Sequence, residues 1–355
     1  MKKILLFIFL AVAGAVSLMS QNSHWSYIEP TEVRVPKGEK QWIVPQKFRT
    51  LSLDFKTFQK LLNTAPMEYS GKKALSIIMP LPNGEQRRYE IFESPCMQPG
   101  LSAKFPQIKA YAGRNPLNKS EIIRLDISHN GVKAIINTDE GQVYLDPFAR
   151  FQNEFYICYY TTDFVKDSKE AQFKCGLDDY KDLLTKDVTP LVKDSKEIKE
   201  RGVTTDLLPL NTYRLALATT GLYSQFIGTT VTDVIAELNT AVNRINQVTT
   251  RDLSVKLILI NDEDKIIFWD ENTDPYTDGD LGQMIQANQP AINGKIGSAN
   301  YDFGHVFGLV FQGGVVGLAQ LQSVCKTSNK AMGGSTLFQP TNDPFWIDIV
   351  AHEMG

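Results

Sequence analysis

The sequences YRLALAT at residues 213–219, VIAELNTAVNRI at residues 234–245 and VKLILI at residues 255–260 decide the fold of the second half of the chain. The first and third are short apolar runs, typical of strands that are buried on both faces of a sheet. The second has apolar residues at helical spacing along one face. Strand, helix and strand in this order predict two parallel strands joined by a crossover helix.

The same alternation continues toward the C-terminus. We predict a helix over residues 281–292 with Asp280 as its N-terminal cap, and further strands over residues 301–310 and 315–321. The second half is therefore predicted to be an α/β domain with a mostly parallel, twisted sheet and helices.

The first half has the character of a β-domain. Apolar runs at residues 74–79 and 88–92 flank the turn-rich sequence PLPNG at residues 80–84, which predicts a hairpin. Further runs at residues 122–127, 132–136 and 142–145 are separated by Asn130-Gly131 and Glu140-Gly141, where glycine allows positive φ. With another strand at residues 155–160 and one short helix near residues 55–62, we predict an all-β meander.

A charged stretch separates the two halves. The runs KDSKE at residues 166–170 and KDSKEIKER at residues 193–201 lack an apolar face. This composition suits an exposed linker over residues 166–205 that a protease could cut. A solvated helix is the alternative.

The N-terminus predicts export. Lys2 and Lys3 precede an apolar run at residues 4–16, which indicates a secretory signal peptide over residues 1–20. The run is shorter than the roughly 20 residues that span a bilayer, so we expect a secreted chain with no membrane association after signal removal. The net charge of −3 comes from interspersed signs, and nucleic acid is not an expected partner.

The four cysteines contain no Cys-x-x-Cys pair, which makes a structural zinc ribbon improbable. An even count in an exported chain favours disulfides, but the sequence alone leaves the pairing open.

The last residues carry the clearest chemical signal. Asp343-Pro344 predicts a helix start, and Phe345, Ile349 and His352 are expected on one helical face. In the zinc-peptidase motif His-Glu-x-x-His, the second histidine lies four residues after the first so that both face one metal. That position would directly follow Gly355, and we expect histidine there.

The surrounding order of segments resembles the reprolysin (adamalysin) family of metzincins, and more closely its bacterial members with an N-terminal propeptide. The resemblance rests on residues 313–321 (GGVVGLAQL), Val324-Cys325, a long loop, residues 348–355 (DIVAHEMG), the opening strand at residues 213–218, and the segment at residues 143–148 followed by residues 155–160. It implies that His352 is a zinc ligand and Glu353 the general base. It also implies that an edge strand binds substrate through Val315, Val316, Gly317, Leu318 and Ala319.

The pair Cys175-Gly176 resembles the cysteine-switch segment of some metzincin propeptides, in which a thiolate occupies the open position of the zinc. Cys175 is thus a candidate latch, with a structural disulfide as the alternative. The family resemblance suggests that Cys325 pairs with a cysteine beyond Gly355, and Cys96 could then pair with Cys158.

Acidic residues between positions 262 and 280 are candidates for Ca²⁺ binding, although turns and a helix cap explain them more simply. Where the family often carries an acidic calcium ligand, this chain has Arg214. His305 lies among apolar residues and is predicted to be a core histidine rather than a zinc ligand.

Together these features predict a secreted zinc endopeptidase zymogen that acts on proteins or peptides. Residues 21–165 would be the propeptide and residues 206–355 the first part of the catalytic domain. With one of three ligands, the chain itself is expected to bind Zn²⁺ weakly and to be inactive. The alternative is a secreted β-rich adhesion or binding module with a non-catalytic α/β remnant.

Overall fold

The computed structural model describes residues 23–164, 174–176, 179–180, 183–184, 210–310 and 315–355. The predicted signal peptide and most of the predicted linker lie outside these residues. Among the residues that are described, no helix combines the length and apolar character needed to cross a membrane.

The first half forms a nine-stranded antiparallel sheet, here called the first sheet, with the order β1-β2-β9-β8-β7-β6-β5-β4-β3. Its strands are β1 (Trp25–Ile28), β2 (Arg49–Leu53), β3 (Leu75–Pro80), β4 (Gln86–Glu93), β5 (Lys109–Arg114), β6 (Ile122–Ser128), β7 (Gly131–Thr138), β8 (Gly141–Pro147) and β9 (Phe155–Tyr160). Six of these strands, β3, β4 and β6 to β9, were predicted, whereas β1, β2 and β5 were not. Gly131 and Gly141 have φ of 105° and 136° at the turns between β6, β7 and β8. The predicted helix is α1 (Phe55–Leu62), whereas α2 (Pro99–Lys104) was not predicted.

The second half forms a six-stranded sheet, here called the second sheet, with the order β10-β14-β15-β13-β11-β12. Its strands are β10 (Lys174–Cys175), β11 (Asn211–Thr219), β12 (Val255–Leu259), β13 (Phe303–Leu309), β14 (Val315–Ala319) and β15 (Gly333–Leu337). All neighbouring pairs are parallel except β14 with β15, which confirms a mostly parallel sheet.

The helices of the second half are α3 (Gly221–Ile227), α4 (Val231–Asp252), α5 (Leu281–Ile296), α6 (Asn342–Phe345) and α7 (Ala351–Met354). A π-helical turn, Trp346–Val350, joins α6 to α7, and we call the continuous element the terminal helix. Asp280 caps α5 as predicted, because its side chain accepts a hydrogen bond from the Gln283 backbone N–H.

Two predictions about this sheet were wrong. The segment expected to be a long loop contains β15, a strand between β13 and β14. Its sequence GGSTL has two glycines and little apolar character, so no strand signal was visible. In addition, β14 is not an open edge, since β10 pairs with it.

The two faces of the second sheet pack against different helices. Leu215 and Leu217 of β11 lie in a core cluster with α4 and the terminal helix. The alternate residues Ala216 and Ala218 lie in a second cluster with α5. Because neighbouring residues of a strand point to opposite faces, the terminal helix and α5 lie on opposite sides of the sheet.

The first half contributes to the core of the second. Cys96 and Met97 belong to the cluster around α4. The Leu259 N–H at the end of β12 donates to the Cys96 carbonyl, and the Gln98 N–H donates to the Leu259 carbonyl, both at 2.8 Å. A segment of the first half therefore covers the β12 edge of the second sheet.

A buried polar contact also joins the two sheets through α4. Arg244 of α4 is paired with Asp146 of β8 at 2.6 Å, and the two side chains are 1% and 2% exposed. Thr240 donates to the Asp126 carboxylate at 2.6 Å beside this pair. Burial of paired charges gives the two halves a defined relative position, because separating one partner would leave a buried charge uncompensated.

The suggested pairing of Cys96 with Cys158 is wrong in this structure, where none of the four cysteines is in a disulfide. Cys96 lies in the core cluster around α4, while Cys158 lies in the core of the first sheet. The Cys158 thiol donates instead to the Pro80 carbonyl at 3.6 Å. The two thiols are thus held in separate cores.

Candidate metal centre

The terminal helix is anchored by its first two turns. Phe345, Trp346 and Val350 are buried, and the Phe345 ring meets the Phe307 ring edge-on at 4.9 Å. The helix begins at Asn342, one residue before the predicted cap. Its last turn, which carries His352 and Glu353, projects from this anchored part.

The helical spacing predicted that His352 shares one face with Phe345 and Ile349. This prediction was wrong: Phe345 and Ile349 are buried, whereas His352 is exposed. The cause is the π-helical turn, in which the Ala351 N–H donates to the Trp346 carbonyl five residues earlier. A π turn contains one residue more than an α turn, so the residues that follow are rotated about the helix axis. This rotation carries His352 out of the core.

The structure brings together three of the predicted site residues. Each of Cys175, His352 and Glu353 offers one ligand atom, and these atoms lie within 4.8 Å of one another. In the part of the chain that the structure describes, no other group of three histidine, cysteine or acidic residues meets this spacing. Two residues adjacent in the terminal helix thus meet a cysteine far away in sequence.

Strand β10 delivers the cysteine. Lys174 is in register with Val315 and Cys175 with Gly317, and the Gly176 N–H donates to the Gly317 carbonyl at 2.8 Å. The segment therefore lies along the outer side of β14, where substrate was expected to bind. The predicted substrate strand has its backbone already occupied by the chain itself.

Gly317 allows the closest approach in the site. A Cβ atom at this position would overlap Oε1 of Glu353. Only glycine lets the carboxylate lie directly against the strand, so the glycine of the predicted edge strand has a packing role here.

The carboxyl group of Glu353 is electrostatically perturbed. Burial raises its pKa above the usual value, and this effect is opposed by a hydrogen bond with Cys175 and by the nearby His352. Burial disfavours the charged form of a carboxyl group, so a proton is held more readily here than on an exposed glutamate. Such a group suits proton transfer.

The donor set fits part of a zinc site. Thiolate and imidazole are preferred zinc ligands, and with bond lengths of about 2.3 and 2.0 Å two ligands of one tetrahedral ion lie about 3.5 Å apart. The three donor atoms lie within 4.8 Å of one another, so small side-chain movements would bring them to the distance that two ligands of one zinc ion have. Cys175 and His352 are the residues that would hold the ion.

His305 lies apart from this group and is a core residue, as predicted. It is 2% exposed, and its Nε2 atom is 2.9 Å from the Ser335 hydroxyl. Burial lowers its pKa to about 3. The imidazole is therefore neutral over the physiological range.

Several of the acidic residues considered for calcium have partners within the protein. Asp274 accepts from the Gly221 N–H at 2.7 Å, Asp278 from the Thr220 hydroxyl at 2.9 Å and Glu263 from the Leu217 N–H at 2.8 Å. Asp274 and Asp278 thus bind the start of α3, and Glu263 binds the backbone of β11; calcium stays a prediction. Arg214, at the departure from the family pattern, forms an ion pair with Asp302 at 2.8 Å.

One feature of the site had no sequence signal. Two cations lie over the ring of Trp346: Lys133 of the first sheet and Arg244 of α4 are each 5.3 Å from its centre. Contacts of this kind depend on residues more than 100 positions apart, which local patterns do not reveal. They connect the first sheet to the terminal helix.

The C-terminal part of the chain, which carries His352 and Glu353, matches a known protein family. Residues 210–355 match Metallo-peptidase family M12B Reprolysin-like. The reprolysin-like segment contains the second sheet apart from β10, together with α3 to α7. Cys175 thus lies outside it, and His352 and Glu353 lie inside.

The chain was also compared with solved structures and with curated protein sequences. Metalloproteinase-II from Bacteroides fragilis is similar with a TM-score of 0.43 and 9% identity, over 85% of this chain and 84% of that chain. At this similarity neither fold nor activity transfers to this chain. No curated protein sequence matches it significantly.

Proposed function

We propose that the gene product is a secreted zinc-dependent endopeptidase that is made as a zymogen. The observation that carries the proposal is the meeting of Cys175, His352 and Glu353 within 4.8 Å, two of them in a reprolysin-like metallopeptidase segment. The signal-peptide pattern at residues 1–20 supports export. Proteins or peptides would be the substrates.

The roles of the residues follow from their positions. When bound, a zinc ion would act as a Lewis acid and lower the pKa of water. His352 would be one of its ligands. Glu353 would take the proton of the attacking water and pass it to the leaving amine, for which its raised pKa is suited. Strand β14 would align the substrate backbone by hydrogen bonds once β10 has left.

Latency would come from the Cys175 segment. Its thiolate would take the coordination position that water needs. Its backbone pairs with β14, where the substrate backbone would otherwise bind. Residues 21–165 would then be the propeptide, residues 166–205 the linker with the maturation site, and residues 206–355 the catalytic part. Cutting the linker would allow the segment to leave.

The decisive experiment uses the chain extended beyond Gly355 far enough to supply all three zinc ligands, of which the histidine expected after Gly355 is the second. After cleavage of the linker, we expect it to hydrolyse a peptide library, to lose activity with a chelator and to regain it with Zn²⁺. Glu353→Gln is the matched control, because it keeps the ligands and removes the base. Tight zinc binding without hydrolysis, or a residue other than histidine after Gly355, would favour the alternative of a binding module with a non-catalytic remnant.

A further inference from the structure

The residues that follow Cys175 pack on the other face of the second sheet. Tyr180, Leu183 and Leu184 join the cluster around α5, opposite the terminal helix. The N–H groups of Leu183 and Leu184 both donate to the Tyr180 carbonyl, at 3.0 and 3.3 Å. These hydrogen bonds bring the three side chains together on one turn that faces α5.

A glycine of α5 makes room for the tyrosine. A Cβ atom on Gly282 would lie 2.5 Å from Cε1 of Tyr180. Gly282 is the second residue of α5, next to the capping Asp280. The ring of Tyr180 fills the space that the missing side chain leaves.

The covered surface is apolar. Leu184 is 7% exposed and lies in one cluster with Leu281, Met284 and Ile285 of α5. Val315 of β14 packs against the same cluster, so the surface is continuous with the predicted substrate strand. A contiguous apolar surface beside a peptide-binding strand is typical of an interaction site.

We propose that this surface of α5 and β14 is an exosite for protein substrates that present an aromatic and an aliphatic side chain one helical turn apart. The inference rests on the proposed function, because the exosite opens only when the Cys175 segment leaves. In the zymogen, Tyr180 and Leu184 occupy it. In the mature enzyme, a substrate takes their place while its cleavable segment reaches β14.

The test compares two long peptides with the same cleavage sequence in the activated, extended enzyme. One carries residues 179–184, and in the other Tyr180→Ala and Leu184→Ala replace the two anchors. We expect about ten-fold higher kcat/KM for the first, the size of effect that burial of an aromatic anchor supports. Gly282→Ala should abolish the preference. Gly294→Ala, at a glycine of α5 with no atom within 4 Å of an added Cβ, should keep it.

Two outcomes separate the exosite from the peptidase assignment. Hydrolysis of both peptides at equal rates, or a preference that survives Gly282→Ala, would overturn the exosite alone. If neither peptide is hydrolysed, the proposed function fails, and thiol labelling of Cys175 in the uncleaved chain decides about the surface. Gly282→Ala should raise the labelling rate several-fold over Gly294→Ala by displacing Tyr180; equal rates would overturn the inference.

Discussion

The two edges of the second sheet are both covered by segments from earlier in the chain, and the covers differ in kind. At the β12 edge, Cys96 and Met97 are buried in a core cluster. At the β14 edge, β10 is two residues long and ends at the exposed Cys175. Burial raises the pKa of the Cys96 thiol to about 11, whereas Cys175 meets Glu353 and His352. The first cover is part of the core, whereas the second is a two-residue strand paired with β14, and the proposed function requires it to leave.

The cover of the β12 edge differs from that of the β14 edge only if the first half is firmly attached to the second sheet. Breaking the Arg244–Asp146 pair tests this attachment. Asp146→Ala leaves Arg244 buried without its partner and should destabilise the full chain by about 3–5 kcal/mol. Asp252→Ala is the control, because the Arg251–Asp252 pair is about half exposed, with 50% and 46% exposed side chains. The control should cost about 0–1 kcal/mol. Urea unfolding measures both, and equal losses would contradict a permanent cover.

Thiol labelling of the native chain compares the two covers directly. Cys175 should react at least about 100-fold faster than Cys96, because a buried thiol is reached only through opening of the core. Cys325 is exposed and serves as a reference within the same molecule. Peptide mapping after short reaction times gives the rates. Similar rates for Cys96 and Cys175 would show that both edges open together.

Acid should lower the stability of the fold through His305 in the centre of the second sheet, rather than through the β14 cover. Its pKa is lowered to about 3 by burial. In the unfolded chain, histidine binds a proton near pH 6.5. The contribution of His305 to the free energy of unfolding is therefore fully present above that pH and is lost as the pH falls toward 3. Between pH 7 and pH 5 the loss should be about 2 kcal/mol. His305→Gln should flatten this dependence, and a wild-type slope retained in the variant would contradict the assignment.

The smallest expected effect concerns the latch itself. In the extended, uncleaved precursor, Cys175→Ser removes the sulfur and should raise peptide hydrolysis about ten-fold, because one ligand of the closed site is lost while the first sheet stays in place. As the control, both proteins should have equal activity after the linker is cleaved. Equal latency in wild type and Cys175→Ser would mean that the backbone of β10 or the bulk of the first sheet blocks the site, and it would end the thiolate model.

Local signals predicted six of the nine strands of the first sheet, because antiparallel neighbours are joined by short turns with recognisable residues such as Gly131 and Gly141. Strands β1, β2 and β5 were missed. The second sheet was predicted only where apolar patterns were strong, as in β11 and α4. Strands β10 and β15 were missed, since a two-residue strand and a glycine-rich strand owe their pairing to distant partners.

The candidate site shows the same division. Sequence patterns singled out His352, Glu353, Cys175 and the strand around Gly317 separately. That Cys175 is in register with Gly317, and that Gly317 has to be a glycine because of Glu353, depends on tertiary packing. The rotation of His352 by the π turn was equally hidden, because residue spacing assumes a regular α-helix.

The position of Trp346 gives the molecule an optical reporter. Lys133, one of the two cations over its ring, belongs to the first sheet, and the other, Arg244, belongs to α4. Departure of the first sheet would remove one cation and admit water to an indole that is now buried. The emission spectrum of this tryptophan would then shift to longer wavelength, so a variant that keeps Trp346 as its only tryptophan would report whether the first sheet stays attached.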